Sequence, residues 1–538
     1  MDLSILGELI ANSADFNRLR SAMKGSRFNS QLQVLSEATP LVLSSLYQTM
    51  ECPTLVVVPR PAEAQRLYEQ VLLWTDPGAP VLHFQENETL PFERMVQDLD
   101  TAQERVRGLW ALIRDNPPSP LIIASVSAIA QKTISRDTLK NSIQTFNLRQ
   151  QIDLDQTINT WNRMGYRTES VVDLPGLVSR RGGILDIFPV SEEAPLRIEL
   201  WGDEIDSIRY FDPDTQRSTT LVESMTVIPA QETLPGLVDR ESFDNLRESM
   251  DMDNCTKETR DRINDEIDLL LEEFAIEDVD FYSGFFNTGS LLDYLADNTL
   301  IVNLNSTEIS ETAREIDERS HELRKTKEQI NQLPSKFPSS HFLERESTER
   351  GVHIRRRLEI TPWGSEDLLK TENYSLPCSS PPDFGGQLES FVESVAQMSQ
   401  DGDRIIVISS ASSRLEEIMT QAGLEVQIPE RLEAIPVPGT IVLFQAWGSG
   451  LNDGIVLTDI GQNLVILSDS EIFGTAKLRR TTRRRMVKRE ALLSELNPGD
   501  YVVHVEHGVG RFLGTKRAPR DEGDREFLVL SYARGDEL

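Results

Sequence analysis

The stretch from Gly165 to Ser218 limits what this chain can fold into more than any other. It reads GYRTESVVDLPGLVSRRGGILDIFPVSEEAPLRIELWGDEIDSIRYFDPDTQRS. Apolar and polar residues alternate in ILDIF, from Ile184 to Phe188, and in LRIELW, from Leu196 to Trp201. A period of two is the mark of half-buried strands. Gly182-Gly183 and the segment from Pro189 to Pro195 interrupt the runs, as turns between antiparallel strands do. The expectation is a small meander with one face on a core. The other face would carry Arg180, Arg181, Arg197, Glu199, Asp203 and Glu204. Most single charges on such a face are simply solvated. Arg181 and Arg197, however, fall on neighbouring predicted strands, and Arg197, Glu199 and Trp201 point to one side. Arginine beside an exposed aromatic is the composition of a protein-binding hot spot.

A chain of 538 residues has room for roughly three or four domains. Its 39% hydrophobic and 26% charged residues are ordinary for a soluble globular protein. The formal net charge of -32 repels nucleic acid, so any DNA contact needs a local basic patch. No apolar run is long enough for a membrane span, and no membrane partner is expected. The first residues lack the basic and apolar regions of a secretory signal. Cys52, Cys255 and Cys378 are far apart and show no ligand spacing. They argue for a reducing, cytoplasmic setting and against disulfides or a metal site.

Residues 1–150 alternate strand-like and helix-like pieces. Leu55 to Val58, Val81 to Phe84 and Leu121 to Ala124 read as buried strands, and Ala62 to Trp74 and Thr101 to Arg114 as amphipathic helices. That is a doubly wound α/β domain. Residues 151–230 are the sheet module. Residues 231–350 return to helix, with a strand at Leu300 to Val302 and a long, polar, surface-packed helix from Ser306 to Leu333. Residues 351–383 read as a linker because of Pro362, Gly364, Pro377, Pro381 and Pro382. Residues 384–475 form a second, small α/β domain with strands at Arg404 to Ile408 and Ile441 to Phe444. The glycine-rich run from Gly448 to Gly454 precedes a strand rather than a helix, so it reads as a hairpin turn and not a phosphate loop. Residues 476–493 are a basic connector, with eight basic residues in the thirteen from Lys477 to Arg489. Arg479, Arg480, Arg483, Arg484 and Arg485 make it either a solvated segment or an electrostatic contact for a polyanion or an acidic protein surface. Residues 494–538 are strand-rich, with runs at Tyr501 to Val505, Arg511 to Lys516 and Glu526 to Tyr532. The last residues, SYARGDEL, follow a strand without a turn or cap, which reads as a chain cut inside a domain.

Four segments carry a resemblance: RGGILDIFP from Arg181, PLRIELW from Pro195, DEIDSIRYFD from Asp203 and TQRS from Thr215. Together they are similar to the module shared by bacterial UvrB and the transcription-repair coupling factor (Mfd) family. The segment from Leu496, LNPGDYVVHVEHGVGRFLGTKR, resembles the small barrel that this family shares with CarD-type regulators. The resemblance implies UvrA binding at the positions of Arg181, Arg197 and Trp201, the last usually Phe in the family. It implies that the strand edge within Phe512, Leu513, Gly514, Thr515, Lys516 and Arg517 binds the RNA polymerase β subunit. In the functional reading of the basic connector, its contact is DNA, the polymerase or an acidic surface of the same protein. His504 and His507 flank Glu506 but have no further ligand nearby, so no metal is expected there.

The resemblance also makes the first domain a helicase-type nucleotide fold, in which the segment from Val34 to Ser45, VLSEATPLVLSS, stands where a phosphate loop would be. It has no glycine to let backbone amides approach a phosphate and no lysine to meet its oxygens. No ATP binding by this domain and no catalytic residues are expected. ATP and magnesium belong to the motor of a full-length family member, through which double-stranded DNA is mainly contacted. The segment from Phe84 to Glu93 is too short for the DNA-opening hairpin of UvrB. The expected fold is thus α/β multidomain: a degenerate helicase-like domain with an inserted antiparallel β module, a second small α/β domain and a truncated β-barrel. The expected role is in transcription-coupled nucleotide excision repair, as the N-terminal, adaptor part of a translocase that displaces stalled RNA polymerase and recruits UvrA. A UvrB-like excision-repair ATPase subunit and a motorless CarD-type regulator are the alternatives. On this reading, removing Arg181 and Arg197 together abolishes UvrA capture and leaves the fold intact.

Overall fold

The computed structural model describes residues 2–531, apart from 363–372, 475–498 and short stretches at 12, 26–27, 51, 88, 97, 115–118, 239, 273, 275, 355, 447–450, 459, 500, 505–507 and 521–522. The chain divides into two units, Met1–Lys477 and Leu478–Leu538.

The first unit is built on a seven-stranded sheet. Its order is Asn373–Ser375, Phe28–Val34, Arg356–Pro362, Leu300–Leu304, Thr54–Val58, Leu121–Ser125 and Val81–Phe84, with every pairing parallel. TLVVV and LIIAS are buried along their whole length, because a parallel sheet is covered on both faces. Their side chains divide strictly by parity. Val56, Val58, Leu121 and Ile123 enter one core, and Leu55, Val57, Ile122 and Ala124 the other. The helix Pro61–Val71 starts with proline at its first position, where the missing N–H is not needed.

Between the Leu121–Ser125 and Leu300–Leu304 strands the chain leaves this sheet and returns. The first excursion is a six-stranded sheet over residues 167–222. The second is a helical lobe with its own aromatic core of Phe243, Phe281, Tyr282, Phe285 and Phe337. Phe92, from the short segment that follows the strand Val81–Phe84, is buried in that lobe. Arg94 clamps the same segment there, 4.0 Å over the Phe281 ring and 2.8 Å from Glu266.

Two expectations are corrected. Much of the supposed linker 351–383 is sheet: Arg356–Pro362 lies between two strands of the first domain, and Asn373–Ser375 forms its edge. Leu358 and Ile360 alternate inward there, a pattern hidden by three arginines and the prolines that follow. The run Gly448 to Gly454 is not a hairpin turn either. It joins Ile441–Gln445 to Ile455–Leu457, and these strands are not neighbours in the second sheet. Its described end instead docks on the first domain. Leu451 is buried in the shared core, and Asp453 pairs with Arg66 at 3.0 Å.

That second sheet has six strands, four of them parallel. Ile406, Ile408, Val442 and Phe444 share a core with Leu32, Val34 and Leu41 of the first domain. The second unit is a three-stranded antiparallel meander of Tyr501–His504, Gly508–Arg520 and Gly523–Ser531.

Candidate functional site

The inserted sheet runs in the order Ser218–Val222, Glu204–Phe211, Leu196–Trp201, Ile184–Ile187, Leu177–Arg181 and Arg167–Thr168. Leu185, Ile187, Leu196, Ile198, Ile205 and Ile208 cover one face and pack into a core shared with the first domain. Alternation therefore sends Asp186, Arg197, Glu199 and Trp201 to the other face. Register sets them in rows: Asp186, Arg197 and Arg209 in one, Ile184, Glu199 and Ser207 in the next.

Arg181 pairs with Ile184 across the strands and stands at the end of the sheet where the chain turns at Gly182-Gly183. Gly182 has φ +64 with open space around it, a conformation glycine adopts without strain. The Arg181 side chain is exposed, and its Nη2 donates to the Ser170 carbonyl at 2.8 Å. Trp201 ends its strand at the Gly202-Asp203 turn, on the same end of the sheet, and is 85% exposed. An indole that open in a folded chain is a notable apolar commitment to solvent.

Arg197 is placed differently. Its Nε and Nη2 donate to the two carboxylate oxygens of Asp186 at 2.7 and 2.9 Å, and its Nη1 to the Gln216 carbonyl at 3.3 Å. The guanidinium lies 4.8 Å over the Phe211 ring. Asp186 is 1% exposed, and its hydrogen bonds hold the Arg197 guanidinium above its usual pKa range. Arg197 is thus a half-buried tie inside the sheet, whereas Arg181 and Trp201 are free to meet a partner. Arg180 does not lie on the Arg181 face. Its strand position pairs with buried Leu185, and its guanidinium reaches Asp155 on the helix Leu154–Arg163. Sequence reasoning missed Asp186, although an acid in the apolar strand ILDIF is itself a signal of a buried partner.

The segment from Val34 to Ser45, which lacks the glycines and lysine of a phosphate loop, joins a strand to a helix. Strand Phe28–Val34 is followed by a short turn and the helix Thr39–Met50. A cavity of about 540 Å³ opens there at the carboxyl ends of the strands. Glu37, Glu63, Glu308 and Asp453 line it, against Arg66. Burial, with Glu308 nearby, raises the Glu63 carboxyl, and burial raises that of Asp453. These residues do not fit a triphosphate, which needs backbone amides and cations.

In the second unit, residues 508–511 pair with Tyr501–His504, whereas Gly514 to Arg517 pair with Gly523–Ser531 and, among the described residues, with nothing on their other side. Phe512 is buried and Leu513 is 45% exposed. Thr515, Lys516 and Arg517 are strand positions of the same edge. His507 and the arginines at 479, 480, 483, 484 and 485 lie outside the described residues. Among the described residues no cluster of side chains could hold a metal ion, and no helix is long and apolar enough to cross a membrane.

Residues 145–232 match the family model of the UvrB interaction domain, and residues 496–538 that of the CarD-like/TRCF RID domain. The first match opens where Gln144–Asn147 pairs with Ser224–Val227, the neck that closes the inserted module. Fold and face thus define a class: a UvrB-type interaction domain carried on an α/β platform and followed in sequence by a CarD-like module.

Over most of its length the chain is similar to transcription-repair-coupling factors. It is 26% identical over 502 residues to the one from Staphylococcus aureus (strain bovine RF122 / ET3-1), covering 88% of this chain and 41% of that protein. It is 24% identical over 521 residues to the one from Staphylococcus haemolyticus (strain JCSC1435), covering 93% and 43%. The chain thus spans about two-fifths of the length of these relatives.

Proposed function

We propose that this chain is the adaptor part of a transcription-coupled nucleotide excision repair factor. Its inserted sheet recruits UvrA, and its CarD-like module engages the RNA polymerase β subunit. The observation that carries the reading is the exposed pair of Arg181 and Trp201 at one end of a rigid sheet whose other face is buried. Arg197 serves that surface from within, by fixing the strands that present it. For the polymerase, the one-sided strand from Leu513 to Arg517 offers backbone groups to a partner strand. As the resemblance implies, double-stranded DNA, ATP and magnesium would be handled by a motor of the full-length protein rather than by these two modules. Three cysteines without disulfides fit a cytoplasmic protein.

Purified UvrA should be captured by the wild-type chain. Arg181→Ala with Trp201→Ala should weaken capture by about 4 kcal/mol, roughly a thousandfold, as two hot-spot truncations do. Circular dichroism of that variant should match wild type. Undiminished capture would remove this face from the reading.

The strand-end cavity is proposed to take no nucleotide, because its carboxylates face the space a triphosphate would fill. Titration with ATP and magnesium should show no heat of binding and no turnover. Binding in the micromolar range, or turnover stimulated by DNA, would favour a UvrB-like ATPase instead.

A further inference from the structure

The strand Arg167–Thr168 runs beside Leu177–Arg181 and continues into a strap, Glu169 to Val172, that is tied down at Glu169, Ser170 and Val172. The Glu169 N–H donates to the Val178 carbonyl at 2.9 Å. The Ser170 carbonyl accepts from Arg181 Nη2 at 2.8 Å and from the Ser179 hydroxyl at 3.4 Å. Val172 is fully buried in a small core with Leu177, Phe188 and Phe211, and its carbonyl accepts from Gln216 Nε2 at 3.2 Å. Gln216 is in turn held through its own carbonyl by Arg197. Half-buried Arg197 and exposed Arg181 are therefore linked through one hydrogen-bonded strap.

Between the pinned Ser170 and the buried Val172, Val171 is left 43% exposed. Nothing in the fold requires an apolar residue there, since the neighbouring valine supplies the core contact. We propose that this strap is a third part of the partner surface: it positions the Arg181 guanidinium, and Val171 is a direct apolar contact for UvrA. The inference rests on the UvrA reading above and extends that face across the sheet, from Trp201 through Arg181 to the strap. Neighbouring strands lie about 5 Å apart, so this span fits within an interface of standard size. A surface fixed before binding loses little freedom when the partner arrives, which is how a small anchor set yields useful affinity.

The test compares three full-chain variants in UvrA capture, with thermal melting alongside. Val171→Asp should weaken capture by about tenfold or more, since it places a charge in a desolvated contact, and should leave the melting temperature unchanged. Gln216→Ala should also weaken capture, because the strap loses its inner tie. Trp201→Ala is the reference for the face itself. Loss of capture in Trp201→Ala with full capture in Val171→Asp would overturn the strap and spare the UvrA reading. Full capture in all three, or none by wild type, would overturn both. A Val171→Asp defect accompanied by an equal fall in melting temperature would make Val171 structural and sink the contact.

Discussion

Arg105→Ala should destabilise the first unit more than any other single substitution considered, by about 3–5 kcal/mol, the range for breaking a buried ion pair from one side. Arg105 lies on the helix Leu99–Ile113 of the first domain, and Glu232 closes the inserted module. Their side chains are 0% and 3% exposed, and Nε meets Oε2 at 2.8 Å. Arg105 also donates to the Gln85 carbonyl at 2.6 Å and lies 4.3 Å over the Phe84 ring. The other Glu232 oxygen accepts from the Thr133 hydroxyl. Alanine would leave a carboxylate in the interior with one neutral donor. Domains have only about 5–15 kcal/mol in total, so the module should loosen from its platform well before the sheet itself melts. A urea titration followed by limited proteolysis between residues 125 and 300 checks this. A midpoint within error of wild type would show that the pair does not hold the module.

Arg197→Ala should cost somewhat less, about 3 kcal/mol, because the arginine is partly solvated while Asp186 is not. Its effect on UvrA capture should then follow the loss of folded protein rather than the loss of a contact. This reverses the expectation drawn from the sequence, in which Arg181 and Arg197 were equivalent and dispensable for folding. The separation is measurable. Arg181→Ala should lower capture without moving the urea midpoint, and Arg197→Ala should move the midpoint. Pairing Arg197→Met with Asp186→Leu removes both charges and should recover much of the stability, because no unpaired charge remains. If Arg197→Ala kept full stability, the bidentate pair would be incidental and Arg197 would return to the contact surface.

The alternation in LRIELW and ILDIF was enough to read the strands, their buried face and the exposure of Trp201. It could not separate Arg181 from Arg197. Both sit at outward strand positions, and only the register of three adjacent strands sets Asp186 directly beside Arg197. The same limit explains the misread linker. Arg356–Pro362 carries a strand pattern between charges and prolines, and its place inside the first sheet depends on partners about 55 and 330 residues away in sequence, Leu300–Leu304 and Phe28–Val34. The loop ending at Gly454 has turn-forming residues, but the order of strands, not the turn residues, decides that it crosses to the first domain.

By itself, the sequence determined the kinds of element, the lack of glycine and lysine between Val34 and Ser45, and the resemblance to the transcription-repair coupling factors, because period, glycine placement and motif spacing are local properties. Only the tertiary structure decided which arginine is half-buried against a carboxylate and which is exposed, that acids line the strand-end cavity beside Val34, and that a strap joins the two arginines. Those follow from which side chains are brought together and which are left in water, and burial and pairing are settled between distant segments.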